Sequence, residues 1–592
     1  MSHLPFEDRA RFPNPFGKIV GDPLEDNVDV VDINREAFEA CQRLIGDVRT
    51  HHASGALTLF GEAGAGKTHI LGRVRRWLQT EPASLFVPVR MDTSARMLWR
   101  HLRRNLADAL LRTDASGQRA LDRLLGPKSA AIGEFPERDL SIVLGNLLEG
   151  RHVRDSSAWL RGQDLPETAL TRMDLAQPGP EDDQEAISRN LIASLCSMIE
   201  PGVAVFCLDQ WEALQSFAGD TDGLFTTGQA VSFLHDPPFR NVCIISCVQT
   251  GFVPRLENVL DEAIRQRLLS RRQAIDLIDW DKALRLIPAR LDEFPALSQV
   301  RRGQPDPLWP LSEGPIRSIF TANAAPARRV ISRCKDLFDL WRIGEAQADE
   351  SLDHVLQARL DERMRPVEPA DAEAAMRTGL PLVLTSLARK DGTFDFALRG
   401  GSQLVALCNQ TNGTSLYARL RKLDEALKPE SGANLLLLRD SRLPIGEKAG
   451  KTRQRLKSIE DKRGRLVSVS QEAVESLGAL RRLLADARSG DLAYHGDPVP
   501  VTKVEQWIAG HLPSAIEALL SEIDIPDLLS ARLTDLIAQR KIVSIEEAAR
   551  ETASSALEVE SCARRDPGLF GILQGGTSVL FQIVETEPVP AE

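Results

Sequence analysis

Short apolar runs separated by stretches of helical periodicity organise the first half of the chain. In the helical stretches apolar residues recur three and four positions apart, whereas the short runs are apolar at nearly every position. The predicted elements are, in order, a helix over 34–49, a strand over 56–60, a helix over 68–78, a strand over 85–89, a helix over 95–111, a less regular region over 112–185 with a loop at 176–184, a helix over 186–199, and strands over 203–208 and 241–248. This alternation predicts an α/β fold in which a parallel sheet carries helices on both faces.

The second half repeats this pattern more weakly. Residues 281–345 are helical in period, and a stretch rich in proline and acidic residues at 367–375 predicts a linker. Beyond it, strand-like and helical stretches alternate until prolines interrupt them at 496–501. Residues 527–584 predict three helices followed by a hairpin with a Gly-Gly turn.

Composition narrows the class of protein. The chain has 592 residues, too many for one hydrophobic core, which predicts about three or four domains. Hydrophobic residues make up 43% and charged residues 27%, and no apolar run approaches the ~18 residues that cross a bilayer, so we expect a soluble protein without a membrane partner. The eight cysteines include no CxxC pair and the N-terminus lacks an apolar signal segment, which favours a reduced, cytoplasmic location. A net charge of −11 argues against a protein coated in nucleic acid but leaves room for a local basic patch.

One motif carries specific chemistry. Residues 61–68 read GEAGAGKT and fit GxxxxGK[ST] at every fixed position, between a predicted strand and a predicted helix. Glycines let backbone N–H groups converge on phosphate oxygens, and the positive end of the following helix faces the phosphates. Lys67 is expected to reach the β- and γ-phosphates of ATP, and Thr68 to bind Mg²⁺. The predicted nucleotide-binding residues are Gly61, Glu62, Ala63, Gly64, Ala65, Gly66, Lys67, Thr68 and His69.

A second strand supplies a carboxylate. The apolar run 203–208 ends in Asp209, which is expected to hold Mg²⁺ through water beside Thr68. The motif at 61–68 is the phosphate-binding loop, or P-loop. Together with this strand and the sequence LDQWEAL at 208–214, it makes the region of about 34–345 resemble the AAA+/STAND group of P-loop ATPases. Within that group it is similar to the origin-recognition and archaeal-type initiator ATPases and to bacterial ATPases of phage-defence islands. The resemblance implies ATP hydrolysis with Mg²⁺, a homo-oligomer formed on ATP binding, and a role in replication or antiviral defence.

Catalytic roles follow from the resemblance. Glu212 matches the glutamate of the DQxE form and is the preferred activator of the attacking water, with Gln210 second; the alternative is that Glu212 only caps the following segment.

Three further positions are implied by the same resemblance. Gln249 or Thr250, at the end of the strand over 241–248, corresponds to a sensor of the γ-phosphate, and an ordinary strand end is the alternative. Arg265 or Arg267 corresponds to an arginine finger that completes a neighbouring subunit's site, and a solvated basic helix is the alternative. Arg328, preceded by Pro326 and an inserted alanine, corresponds to the second sensor in a helical lid.

The C-terminal region resembles a winged helix, with helices over 528–539 and 545–552, a recognition helix over 556–564 and a wing over 573–583 turning at Gly575-Gly576. The recognition helix carries Glu558 and Glu560 beside Arg564 and Arg565, so DNA contact and protein contact both stay open. A stronger electrostatic candidate for DNA is a run with eight basic residues, namely Lys448, Lys451, Arg453, Arg455, Lys457, Lys462, Arg463 and Arg465. A solvated helix face is the alternative for this run.

The domain plan combines these inferences. It comprises an N-terminal tail over 1–32, a P-loop ATPase core over 33–280, a helical lid over 281–365, a second smaller α/β domain over 376–495, and a helical linker with a winged helix over 500–592. The α/β domain has a nuclease-like pattern, but Asp395 is followed at 404–410 by no glutamate or lysine, so we expect no nuclease activity. The leading hypothesis is an ATP-driven switch that acts on DNA or in a DNA-linked defence or replication complex. The rival is a signalling or scaffold ATPase that binds only protein partners.

Overall fold

The fold is taken from a computed structural model of the chain. It describes residues 6–17, 28–81, 83–91, 97–114, 117–132, 137–177, 184–214, 221–343, 351–384, 388–389, 393–398, 403–427, 433–446, 449–494, 497–523, 533, 536–538, 540–552, 556, 559–560, 563, 570–573 and 579–582. Two compact units divide the chain: the first combines residues 1–366 with 478–511, and the second combines 367–477 with 512–592. No helix in the described ranges is both long and apolar enough to span a bilayer.

The strands are numbered in chain order. They are β1 (Gly55–Gly61), β2 (Leu85–Arg90), β3 (Ala204–Asp209), β4 (Val242–Gln249), β5 (Arg272–Ala274), β6 (Ile278–Asp279), β7 (Ala324–Ala325), β8 (Ala388–Arg389), β9 (Phe396–Leu398), β10 (Gln403–Leu407), β11 (Asn434–Asp440), β12 (Gly464–Val469), β13 (Ala493–Tyr494), β14 (Asp497–Pro498), β15 (Ile542–Ser544), β16 (Phe570–Leu573) and β17 (Val579–Gln582).

The α-helices are numbered in the same way. They are α1 (Phe6–Arg9), α2 (Arg35–His51), α3 (Lys67–Gln79), α4 (Leu98–Leu111), α5 (Ala120–Leu125), α6 (Ser129–Ile132), α7 (Arg138–Leu148), α8 (Val153–Leu160), α9 (Glu167–Met173), α10 (Gln184–Ile199), α11 (Asp222–Ser232), α12 (Val253–Val259), α13 (Glu262–Leu268), α14 (Trp280–Leu291), α15 (Pro295–Arg301), α16 (Glu313–Arg317), α17 (Ala327–Ile343), α18 (Leu352–Arg363), α19 (Ala372–Val383), α20 (Gly413–Ala426), α21 (Gly450–Asp461), α22 (Gln471–Arg488), α23 (Val501–Gly510), α24 (Ser514–Ile523) and α25 (Ile545–Glu551).

A five-stranded parallel sheet forms the centre of the first unit. Its order is β2-β3-β4-β1-β5, so the first strand lies between the fourth and the fifth. Strands β3 and β4 are buried along nearly their whole length, which is why their sequences are continuous apolar runs. The sheet confirms the predicted α/β fold class, and its strand order is typical of P-loop NTPases.

The register of this sheet brings the ends of the strands that carry candidate site residues to one edge. Gly61 at the end of β1 lies opposite Gln249 at the end of β4, and Arg90 at the end of β2 lies opposite Asp209 at the end of β3. Because all four strands are parallel, their carboxyl ends meet at the same edge of the sheet. Polar residues that the sequence separates by more than a hundred positions therefore surround the P-loop.

A helical layer with its own core follows the sheet. Helices α14 to α17 enclose a cluster of buried apolar residues that includes Leu291, Ile316 and Phe338. Phe16, which belongs to the predicted N-terminal tail, is also part of this core and is only 2% exposed. The prediction of an N-terminal tail is therefore wrong for this residue, because its buried aromatic ring ties the segment to the helical layer.

Residues 478–511 belong to the first compact unit although they follow a long stretch of the second. They comprise the C-terminal half of α22, the β13–β14 hairpin and α23. The predicted plan placed most of them at the end of an α/β domain over 376–495. The long-range contacts that group them with the first unit have no counterpart in local sequence periodicity.

The second unit contains a mixed sheet of order β12-β11-β10-β9-β8. Strands β10, β11 and β12 are parallel, and β8 and β9 are antiparallel to their neighbours. Asp395, at the start of β9, is bound by Arg377 and Arg419, each at 2.7 Å. These guanidinium groups take the carboxylate oxygens that a nuclease would turn towards a metal ion.

A smaller three-stranded sheet, β15-β17-β16, lies near the C-terminus with α25. Helix α25 lies within the predicted second helix of the winged helix, and β16 and β17 are antiparallel, as the strands of a wing would be. Gly575, Gly576, Glu558, Arg564, Arg565 and most of the first predicted helix lie outside the described residues, as does Lys448. The winged helix stays a prediction.

Candidate functional site: the P-loop cleft

The loop from Gly61 to Thr68 connects β1 to the first turn of α3. Gly64 and Gly66 adopt φ angles of +74° and +114°, a region that residues with a side chain rarely occupy. A Cβ atom on Gly64 would lie 2.8 Å from the Cβ of Arg328. Both glycines are thus required by the backbone path, and the 13-residue helix that follows turns its N–H groups towards the loop. This geometry suits an anion.

Three polar side chains lie at this loop. The ammonium group of Lys67 donates to the carbonyl oxygens of Gly61 at 2.8 Å and Glu62 at 3.0 Å. The hydroxyl of Thr68 donates to Asp209 at 2.9 Å, so the P-loop and the end of β3 are joined directly. Burial raises the pKa of Asp209, and the negative charge of Asp491 adds to this, while Thr68 and Lys67 oppose it. A hydroxyl and a carboxylate side by side are hard oxygen donors, the type that Mg²⁺ prefers.

Gln210 follows Asp209 in a left-handed conformation, with φ at 66°. This turn brings its amide back over the strand ends: its Nε2 donates to Asp491 at 2.6 Å, and its Oε1 accepts a hydrogen bond from Arg90 at 3.0 Å. Gln210 is buried, and both the nitrogen and the oxygen of its side-chain amide form hydrogen bonds. It is therefore a structural bridge between the site and the turn that carries Asp491.

Glu212 lies in a short 3-10 turn, Trp211–Leu214, and is 6% exposed. Its Oε1 accepts the backbone N–H of Gln249 at 2.5 Å, which links the ends of β3 and β4. Burial raises the pKa of Glu212 to about 7, although the hydrogen bond from Gln249 acts in the opposite direction. A carboxylate with such a pKa is suited to accept a proton at neutral pH. The same contact gives Glu212 a structural role, but one that joins two strand ends and differs from the capping of the following segment that the sequence left as the alternative.

The two sensor candidates of β4 differ in their surroundings. Gln249 donates from Nε2 to the carbonyl oxygen of Arg488 at 2.7 Å. Thr250 is exposed and begins the next short turn, Thr250–Phe252. The structure therefore brings Gln249, rather than Thr250, into the network at the strand ends.

Arg328 lies in the first turn of α17, where its backbone N–H donates to the carbonyl oxygen of Gly64 at 3.1 Å. This bond joins the helical layer to the P-loop. The guanidinium group donates to the carbonyl oxygen of Gly490 and to the carboxylate of Asp491. The alanine inserted after Pro326 thus leaves Arg328 at the loop.

Asp491 is a member of this network that sequence reasoning missed. Its carboxylate accepts hydrogen bonds from Arg328, from Gln210 and, at 2.8 Å, from the hydroxyl of Ser489. Although burial opposes ionisation, the charge of Arg328 and the hydrogen bonds from Arg328, Ser489 and Gln210 lower the pKa of Asp491 to about 2. The only local signal in the sequence is the Ser-Gly-Asp turn after α22, which is a common surface pattern.

The arginine-finger candidates lie on α13 and have acidic partners of their own. Arg265 forms an ion pair with Glu262 at 2.6 Å, and Arg267 binds both carboxylate oxygens of Asp236 at 2.9 Å. Neither arginine is among the described residues that line the P-loop cleft. A finger acting on a neighbouring subunit stays a prediction for both.

A cleft of about 1190 Å³ opens beside the P-loop. Its apolar side includes Val30, Ile33, Leu286 and Ile331, which come from the N-terminal segment and the helical layer. Such a surface next to a phosphate-binding loop suits the base of a nucleotide. Sequence reasoning missed these residues, because their apolar side chains resemble any other core position.

His69 also lines the cleft, and its Nε2 lies 3.5 Å from a carboxylate oxygen of Asp29. Asp29 also binds Arg73 at 2.9 Å, so the N-terminal segment is fastened to α3. Burial opposes the ionisation of Asp29, but the hydrogen bond from His69 and the charge of Arg73 together lower its pKa. In this structure His69 positions the N-terminal segment beside the P-loop.

The basic run of the second unit is partly neutralised within the chain. Asp424, on α20, binds Arg455 at 2.7 Å and Lys462 at 2.8 Å. The guanidinium of Arg465 donates to a backbone carbonyl oxygen. Arg453 and Lys457 are exposed. The run therefore presents fewer cations to a partner than the sequence suggests.

Comparisons with known proteins agree with this architecture. Residues 50–135 match the family model described as "AAA domain". No curated protein sequence matches the chain.

Several solved structures are similar to the chain at low identity. Cdc6p from Pyrobaculum aerophilum is 12% identical over 75% of this chain and 89% of that chain, with a TM-score of 0.31. The ORC2 protein of Aeropyrum pernix is 12% identical over 61% and 78%, with a TM-score of 0.29. Drosophila ORC bound to AT-rich DNA and Cdc6 gives 10% over 98% and 95%, with a TM-score of 0.28. Because these scores are low, the similarities carry no argument about activity.

The family match begins five residues before β1 and includes the P-loop and α3. It confirms the predicted likeness to AAA+ ATPases for this segment. The first unit of this chain therefore contains, over residues 50–135, a P-loop segment that is similar to an AAA domain.

Proposed function

We propose that the chain binds ATP with Mg²⁺ in the P-loop cleft and hydrolyses it. The observation that carries this proposal is the direct hydrogen bond from Thr68 to Asp209 beneath a glycine-rich loop that opens a helix. This pairing provides the hydroxyl and the carboxylate that hold Mg²⁺ in P-loop enzymes. The ion would neutralise charge on the β- and γ-phosphates when bound.

The proposed roles of the other residues follow from their positions. Lys67 binds the β- and γ-phosphates, and the apolar side of the cleft takes the base. Glu212, with its raised pKa, accepts a proton from the attacking water. Arg328, which extends from the helical layer, stabilises phosphate charge that develops during transfer.

Lys67→Ala tests the nucleotide site. A hydrogen bond to a charged group contributes about 1.5–3 kcal/mol, so the variant should lose roughly 10- to 100-fold in ATP affinity. Asp209→Ala should keep part of the binding but lose Mg²⁺-dependent turnover. Titration calorimetry and phosphate release measure the two effects, with Lys503→Ala, an exposed lysine of the same unit, as the control. Parental hydrolysis by Lys67→Ala would show that the site is assigned wrongly.

We further propose that ATP turnover drives a switch that acts on DNA or in a DNA-linked complex. Support comes from the winged-helix pattern of the C-terminal region and from the exposed cations Arg453 and Lys457. A signalling or scaffold ATPase that binds only proteins is the rival. The neutralisation of the basic run by Asp424 and the net charge of −11 favour it.

Binding to double- and single-stranded DNA at several salt concentrations, with and without ATP, separates these two functions. Phosphate contacts make affinity fall steeply with salt, whereas a protein scaffold shows no such dependence. Absence of any salt-dependent binding would leave the scaffold function in its place.

A further inference from the structure

The turn Arg488–Asp491 lies on the P-loop and binds the side chains that the AAA+ resemblance assigns to γ-phosphate recognition. Gln249 donates to the carbonyl oxygen of Arg488 at 2.7 Å. Arg328 donates to the carbonyl oxygen of Gly490 and to the carboxylate of Asp491. One turn of the chain therefore binds both Gln249 and Arg328.

The chemistry of Asp491 resembles that of a terminal phosphate. An ionised carboxylate is an acceptor-only anion, and this one accepts from Arg328, from Gln210 and from Ser489. Its side chain is 23% exposed, so most of its surface is turned into the protein. Gln210 joins Asp491 to Asp209, the proposed Mg²⁺ residue, because its backbone N–H donates to Asp209 at 3.0 Å and its Nε2 donates to Asp491 at 2.6 Å.

The backbone of the turn fits closely against the loop. Gly490 has a φ angle of +69°, and a Cβ atom there would lie only 2.3 Å from the Cβ of Ala63. A glycine is therefore needed for the turn to approach the P-loop. The N–H groups of Asp491 and Leu492 donate to the carbonyl oxygen of Asp486 at 2.7 Å and 2.9 Å, which ties the turn to the end of α22.

Resting on the function proposed above, we propose that the turn Arg488–Asp491 is an internal competitor of the γ-phosphate. Asp491 holds Arg328 and Gln210 until a nucleoside triphosphate displaces it, because the γ-phosphate and the carboxylate are both anions and need the same donors. A diphosphate is held by the loop backbone and Lys67, which Asp491 does not use. The turn thus makes the site distinguish the triphosphate from the diphosphate.

Asp491→Asn tests this proposal, since it removes the charge and keeps the shape. Affinities for Mg·ADP and for a non-hydrolysable ATP analogue are measured by titration calorimetry. We expect the variant to bind the analogue about tenfold or more tightly than the parent, with ADP affinity changed by less than about twofold. Ser489→Ala, which removes one hydrogen bond to Asp491, should shift the ratio less and in the same direction.

Asp497→Asn is the matched control. Asp497 belongs to the same segment and lies 3.5 Å from Arg329, the neighbour of Arg328, but is exposed. Hydrogen exchange of the parent supplies an independent readout that needs no variant. The amides of Asp491 and Leu492 should exchange faster with the ATP analogue bound than with ADP bound.

The outcomes separate this proposal from the proposed function. If ADP binding depends on Lys67 but the analogue-to-ADP ratio of Asp491→Asn equals that of the parent, the competitor is refuted and the nucleotide site stands. Weaker analogue binding by Asp491→Asn refutes it too, because Asp491 would then assist the triphosphate. If neither the parent nor Asp491→Asn binds any nucleotide, both proposals fail.

Discussion

Replacement of Glu212 by glutamine separates catalysis from structure at the end of β3. Glutamine keeps the size of the side chain and an oxygen that accepts the N–H of Gln249, but it cannot take a proton from water. If Glu212 activates the water, the variant should keep its ATP affinity and lose about 100-fold or more in kcat. The kcat/KM of the parent should rise with pH through about 7, because the free enzyme must be deprotonated at Glu212.

The ionisation of Glu212 also changes the free energy of unfolding, and the size of this change follows from the pKa of Glu212 in the folded and unfolded states. Burial raises the pKa of Glu212 from 4.5 to about 7, so the folded state keeps a proton that the unfolded state has lost. A raised carboxyl pKa stabilises the fold at low pH, and that contribution is lost as pH rises through the folded pKa. Between about pH 5 and about pH 8 the parent should lose roughly 2.5 kcal/mol relative to Glu212→Gln.

Denaturant unfolding of both proteins at each pH measures this difference, and subtraction removes the contribution of all other titrating groups. Glu167→Gln, which changes an exposed glutamate of the same unit, controls for the loss of one charge. Parental turnover by Glu212→Gln at about pH 8 would refute the catalytic role. A difference in stability that does not change with pH would refute the raised pKa.

Three other predictions concern assembly, DNA and the fold. If Arg265 or Arg267 is an arginine finger, its replacement by alanine should reduce ATP turnover with little change in nucleotide affinity. Mixing that variant with Asp209→Ala should restore part of the turnover, because each protein supplies the residue that the other lacks. A monomeric mass with ATP bound, together with no restored turnover, would contradict a shared site. Replacing both Arg453 and Lys457 by alanine should weaken DNA binding equally for all sequences. The slope of log affinity against log salt concentration should become shallower by about two, as electrophoretic mobility shifts would measure. Phe16→Ala should destabilise the first unit by about 3–5 kcal/mol in denaturant unfolding, because the ring is 2% exposed; an unchanged midpoint would contradict its place in the core.

Local pattern was sufficient for the elements around the P-loop. The strand predicted over 203–208 is observed as Ala204–Asp209, and the helix predicted over 68–78 as Lys67–Gln79. Buried strands of a parallel sheet must be apolar throughout, and a phosphate loop must contain glycines, so these features are written in adjacent residues. The P-loop residues and Asp209 could be predicted as candidate site residues for the same reason.

The sequence alone determined an α/β domain with a P-loop and a strand that ends in Asp209, and only the tertiary structure decided what surrounds them. It brought Asp491 to Arg328, residues 163 positions apart, and it placed Asp424 against the cations of the basic run. The pair of Asp491 and Arg328 forms because residues 478–511 belong to the first unit, although residues 367–477 before them belong to the second. Hydrophobic periodicity reports which face of an element is buried but not which distant element covers it. For that reason the long-range contacts at the P-loop cleft emerged only from the folded chain.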